Sequence, residues 1–456
     1  MVIDFVNIDR VIEDRRLDPY YYSPLFVNFY KRIVKFESVN LGSLLKTITN
    51  GLDFREYSKT GTPYIKVANV KQGEFDFSKV QYVTFDSFDI TKQIQLKKGN
   101  ILLTRKGTFG NALYLNDNYN YVISSEVFNL DIKQEKINSK YLEIVLNSQI
   151  GQIQFDRNKI GAIMGSLSQE AVKQIKVPLP PKGIQQQIVD LYQHAVEEKQ
   201  TKEQEAEGLL AGIDDYLLKE LGIVLSVKVE KERYFEVNIF DLIGERLDVD
   251  FNSSTKYGDL FKSISSAKYP MRKISEICDN IFQGVGKNET QDNSYTLLKV
   301  KNILPNNEID YEDIEFIQSV PKSKLLKKYD ILSPFIGEAI RQIKFSVFDK
   351  KGNFTVDNNT GVIRVMNNVN AIYVCEYLCS TLGRIQINRL IGGGGVPFIG
   401  SYGAKKLQIN VPPIEKQNEI AEHIQSIRVK AKRLQEEAKN VLEKAKIEIE
   451  KMIIEG

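Results

Sequence analysis

The chain has 456 residues, with 62 lysines and arginines against 59 aspartates and glutamates, and a formal net charge of +3. A hydrophobic fraction of 42% excludes a disordered or fibrous protein, and the lack of any run of 18 apolar residues excludes a membrane-spanning helix. Three cysteines and an N-terminus without a basic, apolar leader predict a cytoplasmic protein free of disulfides. The length predicts two to four domains.

Short β-rich runs come first in the chain, at residues 63–70 and 93–103. Residues 141–155 have helical spacing, and a short strand at 175–179 leads into Pro180-Pro181 and a long helix. Residues 371–384 and 407–411 then repeat the last helix and strand before a second Pro-Pro pair and a second long helix.

An internal repeat is the strongest signal in the sequence. Leu146, Ser148 and Gly151 recur 232 residues later, as do Pro180-Pro181 and Gln185. The matches of 66–69 and 96–102 recur at offsets of 233 and 230. The fold class predicted is therefore mixed α/β (α+β), with two tandem homologous domains that are each followed by a long helix. The predicted boundaries are 1–181 and 222–413 for the domains and 182–221 and 414–456 for the helices.

Both long helices carry apolar residues at heptad spacing, which predicts an antiparallel coiled coil between them. The alternative is that each helix packs separately on its own domain. At about 38 residues each, the helices would form a rod on the order of 57 Å long that separates the two domains. The two seams predicted are Ile184, Ile188, Leu191, Ala195, Leu209 and Tyr216, and Ile420, Ile424, Ile427, Ala431, Leu434, Ala438, Val441, Ala445 and Met452.

Motifs for catalysis are incomplete. The two histidines, His194 and His423, fall on predicted solvent-facing helix positions, and Cys375 and Cys379 have no second pair to complete a zinc site. The stretch 284–287 lacks the first glycine and the Ser/Thr of a phosphate-binding loop. We therefore predict no catalytic and no metal-binding residues in this chain.

Local charge is asymmetric although the net charge is small. Residues 92–106 and 322–351 each carry +5, whereas the helix at 182–220 carries −5. Basic clusters interspersed with amide and aromatic side chains suit a nucleic-acid surface, although a solvated charged face is the alternative. Two glycine-rich loops at equivalent positions, 161–166 and 391–396, allow a ligand to approach the backbone closely, and a tight turn is the alternative.

The chain resembles the specificity (S) subunit of type I restriction–modification enzymes. The resemblance covers nearly the whole chain and rests on the following sequences: Gly-Thr-Pro-Tyr-Ile-Lys-Val-Ala-Asn-Val at 61–70, Gly-Asn-Ile-Leu at 99–102, Tyr-Asp-Ile-Leu at 329–332, and the Pro-Pro…Gln-x-x-Ile signatures at 180–188 and 412–420. Neither signature has the family's glutamate before its glutamine. The resemblance implies two target recognition domains that each read half of a split double-stranded DNA sequence, and helices that set the gap.

It also implies that the chain is not an enzyme by itself. Its partners would be two modification (methyltransferase) subunits and restriction subunits, and these partners would use S-adenosylmethionine, ATP and Mg²⁺. The apolar flanks of the helices would dock the methyltransferase subunits.

We predict DNA contacts from basic and small polar residues in both domains. For Lys66 and Asn69, closure of a local turn is an equal alternative. The residues predicted are Lys66, Asn69, Lys71, Arg105, Lys106, Arg157 and Ser166 in the first domain, with Lys299, Asn302, Arg341, Lys344, Arg389 and Gly394 as their counterparts in the second.

Two other functions are compatible with the sequence. One is a stand-alone bivalent DNA or RNA binder, which a neighbouring methyltransferase gene with an Asn-Pro-Pro-Tyr/Phe motif would argue against. The other is a fused methyltransferase–specificity protein, which an S-adenosylmethionine binding assay would test.

Overall fold

The computed structural model describes residues 19–23, 26, 37–84, 94–161, 165–225, 263–286, 294–392 and 395–455. The chain divides into two compact units. The first comprises Met1–Thr201 with Glu437–Gly456, and the second comprises Lys202–Glu436. Each unit therefore contains part of both long helices. The domain boundaries at 181 and 413 remain predictions.

The first unit contains three small sheets and several helices. Its strands form the orders β2-β8-β5-β6, β4-β3-β7 and β1-β9, in which only β3 and β7 pair in parallel. The strands are Ser38–Asn40 (β1), Leu45–Asn50 (β2), Thr62–Ile65 (β3), Gln81–Val83 (β4), Ile101–Thr104 (β5), Ala112–Tyr114 (β6), Val122–Ile123 (β7), Val127–Ile132 (β8) and Lys176–Pro178 (β9). The helices are Leu41–Leu44 (α1), Ser139–Asn147 (α2), Gln149–Asn158 (α3), Gln169–Lys173 (α4) and the long Lys182–Leu221 (α5), with 3₁₀ turns at Pro19–Tyr22 and Val67–Asn69.

The second unit repeats this plan. Its sheets have the orders β11-β19-β16-β17, β15-β12-β18, β10-β20 and β13-β14. The strands are Met271–Lys273 (β10), Cys278–Gln283 (β11), Tyr295–Leu298 (β12), Ile303–Leu304 (β13), Glu308–Ile309 (β14), Glu315–Ile317 (β15), Ile331–Pro334 (β16), Ser346–Val347 (β17), Phe354–Val356 (β18), Thr360–Val365 (β19) and Gln408–Asn410 (β20). The helices are Ile274–Ile277 (α6), Ala371–Cys379 (α7), Thr381–Leu390 (α8), Gly400–Lys405 (α9) and the long Ile414–Glu455 (α10), with 3₁₀ turns at Val300–Asn302, Lys322–Lys324 and Glu338–Gln342.

Strand β5 shows why the apolar runs form buried strands. Ile101 and Leu103 pack into one apolar cluster and Leu102 into another, so alternate side chains fill the two faces of the sheet. In β16, Ile331 and Leu332 are divided between two clusters in the same way. The predicted mixed α/β class is confirmed.

Buried polar contacts recur at the conserved offset of the repeat and explain why its residues match. The side chain of Gln154 donates to Lys176 O (2.9 Å) and accepts from Lys176 N (2.8 Å), and Gln386 forms the same pair of bonds with Gln408. These bonds tie the second helix of each helix pair to the strand that precedes the long helix. Satisfied polar groups of this kind specify one packing arrangement.

The glutamine of each Pro-Pro…Gln signature joins the start of the long helix to its domain. Gln185 Oε1 accepts from Asn138 N (2.9 Å) and its Nε2 donates to Pro180 O (2.8 Å). Gln417 makes the equivalent bonds, with Asn370 N at 2.9 Å and Pro412 O at 2.8 Å. The family signature therefore has a structural role in this chain.

The repeated glycines, Gly151 and Gly383, mark the turn where each helix pair bends. A Cβ at Gly151 would lie 2.3 Å from Leu146 O, and one at Gly383 would lie 2.1 Å from Leu378 O. No other residue fits there without a backbone shift, which is why glycine recurs at this position.

The long helices pair antiparallel, as predicted. In the second unit, Glu205 pairs with Lys430 (2.9 Å), and Glu220, near the other end of this segment, pairs with Lys416 (2.6 Å). Between α5 and α10, Ala206 packs against Ala431 and Leu434, so small residues allow the helices to approach closely. Ala206, Ile213 and Leu217 are buried although the predicted seam of α5 omitted them.

The seam of α10 changes its spacing near the end. Ala431, Ala438 and Ala445 are buried as predicted, but Ile449 and Ile453 are buried after them rather than Met452. The shift by one residue occurs because these two isoleucines join the domain core of the first unit, where the 3.6-residue helical period replaces the 3.5-residue seam. Glu448, which interrupts the predicted seam, is exposed.

Within the described ranges, no helix is both long and apolar enough to cross a membrane. His194 and His423 are exposed, as predicted. Cys278, Cys375 and Cys379 are free thiols.

Candidate nucleic-acid interface

Two loops of the first unit, which the sequence marked separately, meet in the structure. Ser166 forms bridge pairs with both Lys106 and Ile160. The amide of Ser166 donates to Ile160 O (2.9 Å), and Ile160 N donates to Ser166 O (2.8 Å). Leu167 N donates to Arg105 O (2.8 Å), which joins the basic segment to the glycine-rich loop. We call the residues 104–110 and 160–167 the first loop pair. Residues 162–164 lie outside the described part.

Lys106 is the exposed cation of the first loop pair. Its side chain is 47% exposed, and its Nζ lies 3.8 Å from Glu126 Oε1, which is also exposed. An ion pair in that position is weak, so an incoming anion can replace the carboxylate.

Arg105 lies deeper in the same loop pair. Its guanidinium carbon lies 5.0 Å from the centre of the Phe128 ring, a cation–π distance. Its Nε is buried, and among the described residues it has no hydrogen-bond acceptor. Arg105 therefore packs on the sheet while part of its side chain remains accessible.

Asn69 and Asn302 close local turns. Asn69 is 4% exposed, its Oδ1 accepts from Lys66 N (3.0 Å), and its Nδ2 donates to Asp76 O (2.8 Å). Asn302 is 1% exposed and makes the same turn with Lys299 N (2.8 Å). This geometry favours the structural alternative for both asparagines over a contact with a base.

The two equivalent lysines have different environments. Lys66 Nζ lies 2.8 Å from the hydroxyl of Tyr57 and 4.1 Å from the centre of its ring, so neutral aromatic groups hold it. Burial raises the pKa of the adjacent Tyr64 to about 12, so that ring remains uncharged. Lys299 Nζ instead lies 2.5 Å from Glu315 Oε1. Lys71 lies 3.7 Å from Asp76 at the surface.

Arg157 is an interior residue. It is 5% exposed, its Nε donates to Tyr21 O (3.2 Å), and its guanidinium lies 3.9 Å from the centre of the Tyr21 ring. It anchors the segment around Tyr21 on the domain, which favours a structural role. Arg389, in the last turn of α8, is half-buried.

The second unit has an equivalent loop pair, formed by residues 335–337 and 392–399, which we call the second loop pair. Phe398 forms bridge pairs with Ile336 and Gly392, and Ile399 N donates to Phe335 O (3.0 Å). This pattern matches the one around Ser166, so Phe335 and Ile336 occupy the positions of Arg105 and Lys106.

Arg341 and Lys344, which we predicted as the counterparts of these two basic residues, lie further along the chain. Arg341 is exposed and lies 3.3 Å from Glu338, whereas Lys344 is half-buried. Sequence alignment by charge misplaced the equivalence because apolar residues took the basic positions. Gly394 lies outside the described residues.

A buried polar pair also differs between the units. Asn100, from the Gly-Asn-Ile-Leu motif, donates through Nδ2 to Asn129 Oδ1 (3.1 Å). Asp330, from the Tyr-Asp-Ile-Leu motif, is 1% exposed and forms a two-bond pair with Arg364 at 2.8 and 2.7 Å. Both motifs therefore support the sheet.

Residues that sequence reasoning missed include Glu126, next to Lys106, and the exposed apolar side chains Phe398 and Tyr402. Their neighbourhood depends on long-range pairing. A count of charges along the chain therefore could not find them. Among the described residues, no group of His, Cys, Asp and Glu is placed to hold a metal ion.

Comparison with known proteins gives the family. Residues 33–207 match the type I restriction modification DNA specificity domain. A search of curated protein sequences finds no match to this chain. Residues 33–207 thus belong to the type I restriction modification DNA specificity domain family, and the resemblance to S subunits is confirmed.

Solved structures show the same fold over the whole chain. A structure described as concerning complex assembly and conformational transition of the type I R-M system is 12% identical, with a TM-score of 0.55 over 92% of this chain and 97% of the other. An S subunit from M. genitalium is 12% identical, with a TM-score of 0.45 over 91% and 96% of the two chains. The HsdS subunit from Thermoanaerobacter tengcongensis is also 12% identical, with a TM-score of 0.41 over 92% and 96%.

Proposed function

We propose that this chain is the DNA specificity subunit of a type I restriction–modification system and that it reads a bipartite target, one half with each unit. The observation that carries the proposal is the recurrence of one loop pair on one scaffold. Both units hold their loops through the same backbone pairing, around Ser166 and Phe398. Two copies of one reading surface suit a target in two halves.

The charges support duplex DNA as the partner. The basic segments 92–106 and 322–351 each carry +5 and lie in different units, while 182–220 is acidic. Lysine and arginine provide the phosphate contacts that fix the register, and loop side chains of both units read base edges. The paired helices α5 and α10 set the number of base pairs between the half-sites.

Methylation and cleavage are assigned to partners in this proposal. Two modification subunits dock on the helices, where Val429 and Ile447 are exposed apolar side chains, and restriction subunits complete the assembly. S-adenosylmethionine, ATP and Mg²⁺ act on those subunits in the cytoplasm, and this chain contributes no catalytic group.

Methylome sequencing of a host that expresses the complete system tests the proposal. We expect adenine methylation in a motif of two short specific sequences separated by a gap of fixed length. A contiguous motif would contradict the bipartite assignment. Specific DNA binding by a chain that never copurifies with a methyltransferase would instead support the stand-alone binder.

A further inference from the structure

The two loop pairs present different side chains from the same backbone position. Ser166 and Phe398 each pair with two neighbouring segments, at Lys106 and Ile160 in one unit and at Ile336 and Gly392 in the other. The first unit therefore presents a hydroxyl where the second presents a phenyl ring that is 50% exposed. A difference at a shared position indicates that the two units read different chemical groups.

Phe398 is one of three exposed apolar side chains within seven residues. Val396 is 59% exposed and Tyr402 is 69% exposed. In the first unit, the positions of Phe398 and Tyr402 are taken by Ser166 and Glu170, which are polar. Exposed apolar groups in a cluster mark an interaction surface rather than ordinary protein surface.

Positive charge surrounds this cluster. Lys406 Nζ lies 4.5 Å from the centre of the Tyr402 ring, and Lys405 is exposed beside it. The whole stretch 377–414 contains four basic residues, Arg384, Arg389, Lys405 and Lys406, and no acidic residue. The ligand must therefore be anionic and must also present apolar groups. Duplex DNA meets both requirements, because the thymine methyl group is the apolar feature of its major groove.

The backbone under Phe398 is held on both sides. Phe398 N donates to Gly392 O (3.0 Å) and Gly392 N donates to Phe398 O (2.8 Å), while Gly337 N donates to Pro397 O (2.8 Å). A side chain presented from a fixed backbone loses little entropy on binding, so its contact can discriminate between bases.

We propose that Phe398, flanked by Val396 and Tyr402, reads the methyl groups of thymines in the half-site bound by the second unit. This inference rests on the proposed function and adds the base class that this unit reads. The first unit, with Ser166 and Lys106 at the equivalent loops, reads its half-site through polar contacts.

Deoxyuridine tests the proposal because it removes only the methyl group of thymine. Once the motif is known, the assembled methyltransferase complex is titrated with duplexes in which thymines of one half-site are replaced. For the wild type, each contacted methyl in the second half-site should contribute about fourfold to affinity, as expected for burial of one methyl group. Phe398→Ser should bind thymine and deoxyuridine duplexes equally, whereas Phe398→Leu, which keeps an apolar group, should retain most of the difference.

Three results would overturn the inference: a second half-site without thymine, a deoxyuridine penalty that is the same in wild type and Phe398→Ser, or a Phe398→Ser complex that loses subunit assembly but binds DNA normally. If the melting temperature shows that Phe398→Ser is unfolded, Tyr402→Ser, at a more exposed position, tests the same coupling. A wild-type complex with no split motif would overturn the proposed function itself, so the two failures are distinguishable.

Discussion

Lys106→Ala is expected to weaken DNA binding and to reduce its dependence on salt. The ammonium group is accessible on the first loop pair, and its neighbour Glu126, 3.8 Å away, is exposed as well. Because an exposed ion pair contributes only about 0–1 kcal/mol, a DNA phosphate can displace Glu126 at little cost. Lys106 therefore behaves as an available phosphate contact.

The size of the effect follows from counterion release. One lost phosphate contact lowers the slope of log affinity against log salt by about 0.9. Between about 50 and 200 mM salt, the advantage of the wild type over Lys106→Ala should therefore shrink by roughly 3.5-fold. Fluorescence anisotropy of the assembled complex on a labelled duplex with the methylated motif would measure both slopes.

Two matched variants make the experiment specific. Lys136→Ala removes an exposed lysine of the same unit from outside the loop pair, so its slope should equal that of the wild type. Glu126→Gln removes the acid beside Lys106 and should strengthen binding. A slope for Lys106→Ala that equals the slope of the wild type would refute its assignment as a phosphate contact.

Three further predictions concern the helices and two buried glutamates. Removing one heptad from each of α5 and α10 shortens each helix by about 10.5 Å, so the gap in the methylated motif should shorten by about three base pairs or specific methylation should be lost, and an unchanged gap would contradict a spacing role. Arg428→Met leaves Glu376 buried without the two-bond partner it has at 2.8 and 2.5 Å, which should cost about 3–5 kcal/mol in denaturant unfolding; adding Glu376→Gln should recover most of that loss, and no recovery would contradict the buried-charge explanation. Burial raises the pKa of Glu143 above its ordinary value of 4.5 although Lys140 opposes the shift, so this carboxyl lowers stability as the pH rises from 4.5 through its folded-state pKa; Glu143→Gln should flatten that part of the thermal-stability profile of the first unit, and an unaltered profile would count against it.

Some residues could be interpreted from the sequence because their role depends on near neighbours and repeats with the domain. Gln185 and Gln417 recur at one offset and make the same bonds in both units, and Gly151 and Gly383 recur because a Cβ has no room there. The repeat, the long helices and the family were therefore readable from residue types and spacing.

The candidate interface was only partly predictable. Basic residues were placed on it by charge alone, yet Arg157 is buried against Tyr21. Asn69 closes a turn, and Arg105 packs on Phe128. The type of a side chain does not say whether it faces solvent, since burial is decided by strands that are distant in the chain.

The sequence by itself determined the duplicated domain-plus-helix plan and the antiparallel helix pair, because periodicity and repeat are local properties of the chain. Only the tertiary structure decided which loops meet, that Phe398 takes the position of Ser166, and that Ile449 and Ile453 leave the heptad seam to join a domain core. Those features arise from pairing between segments far apart in the chain. No local pattern of residues specifies such contacts.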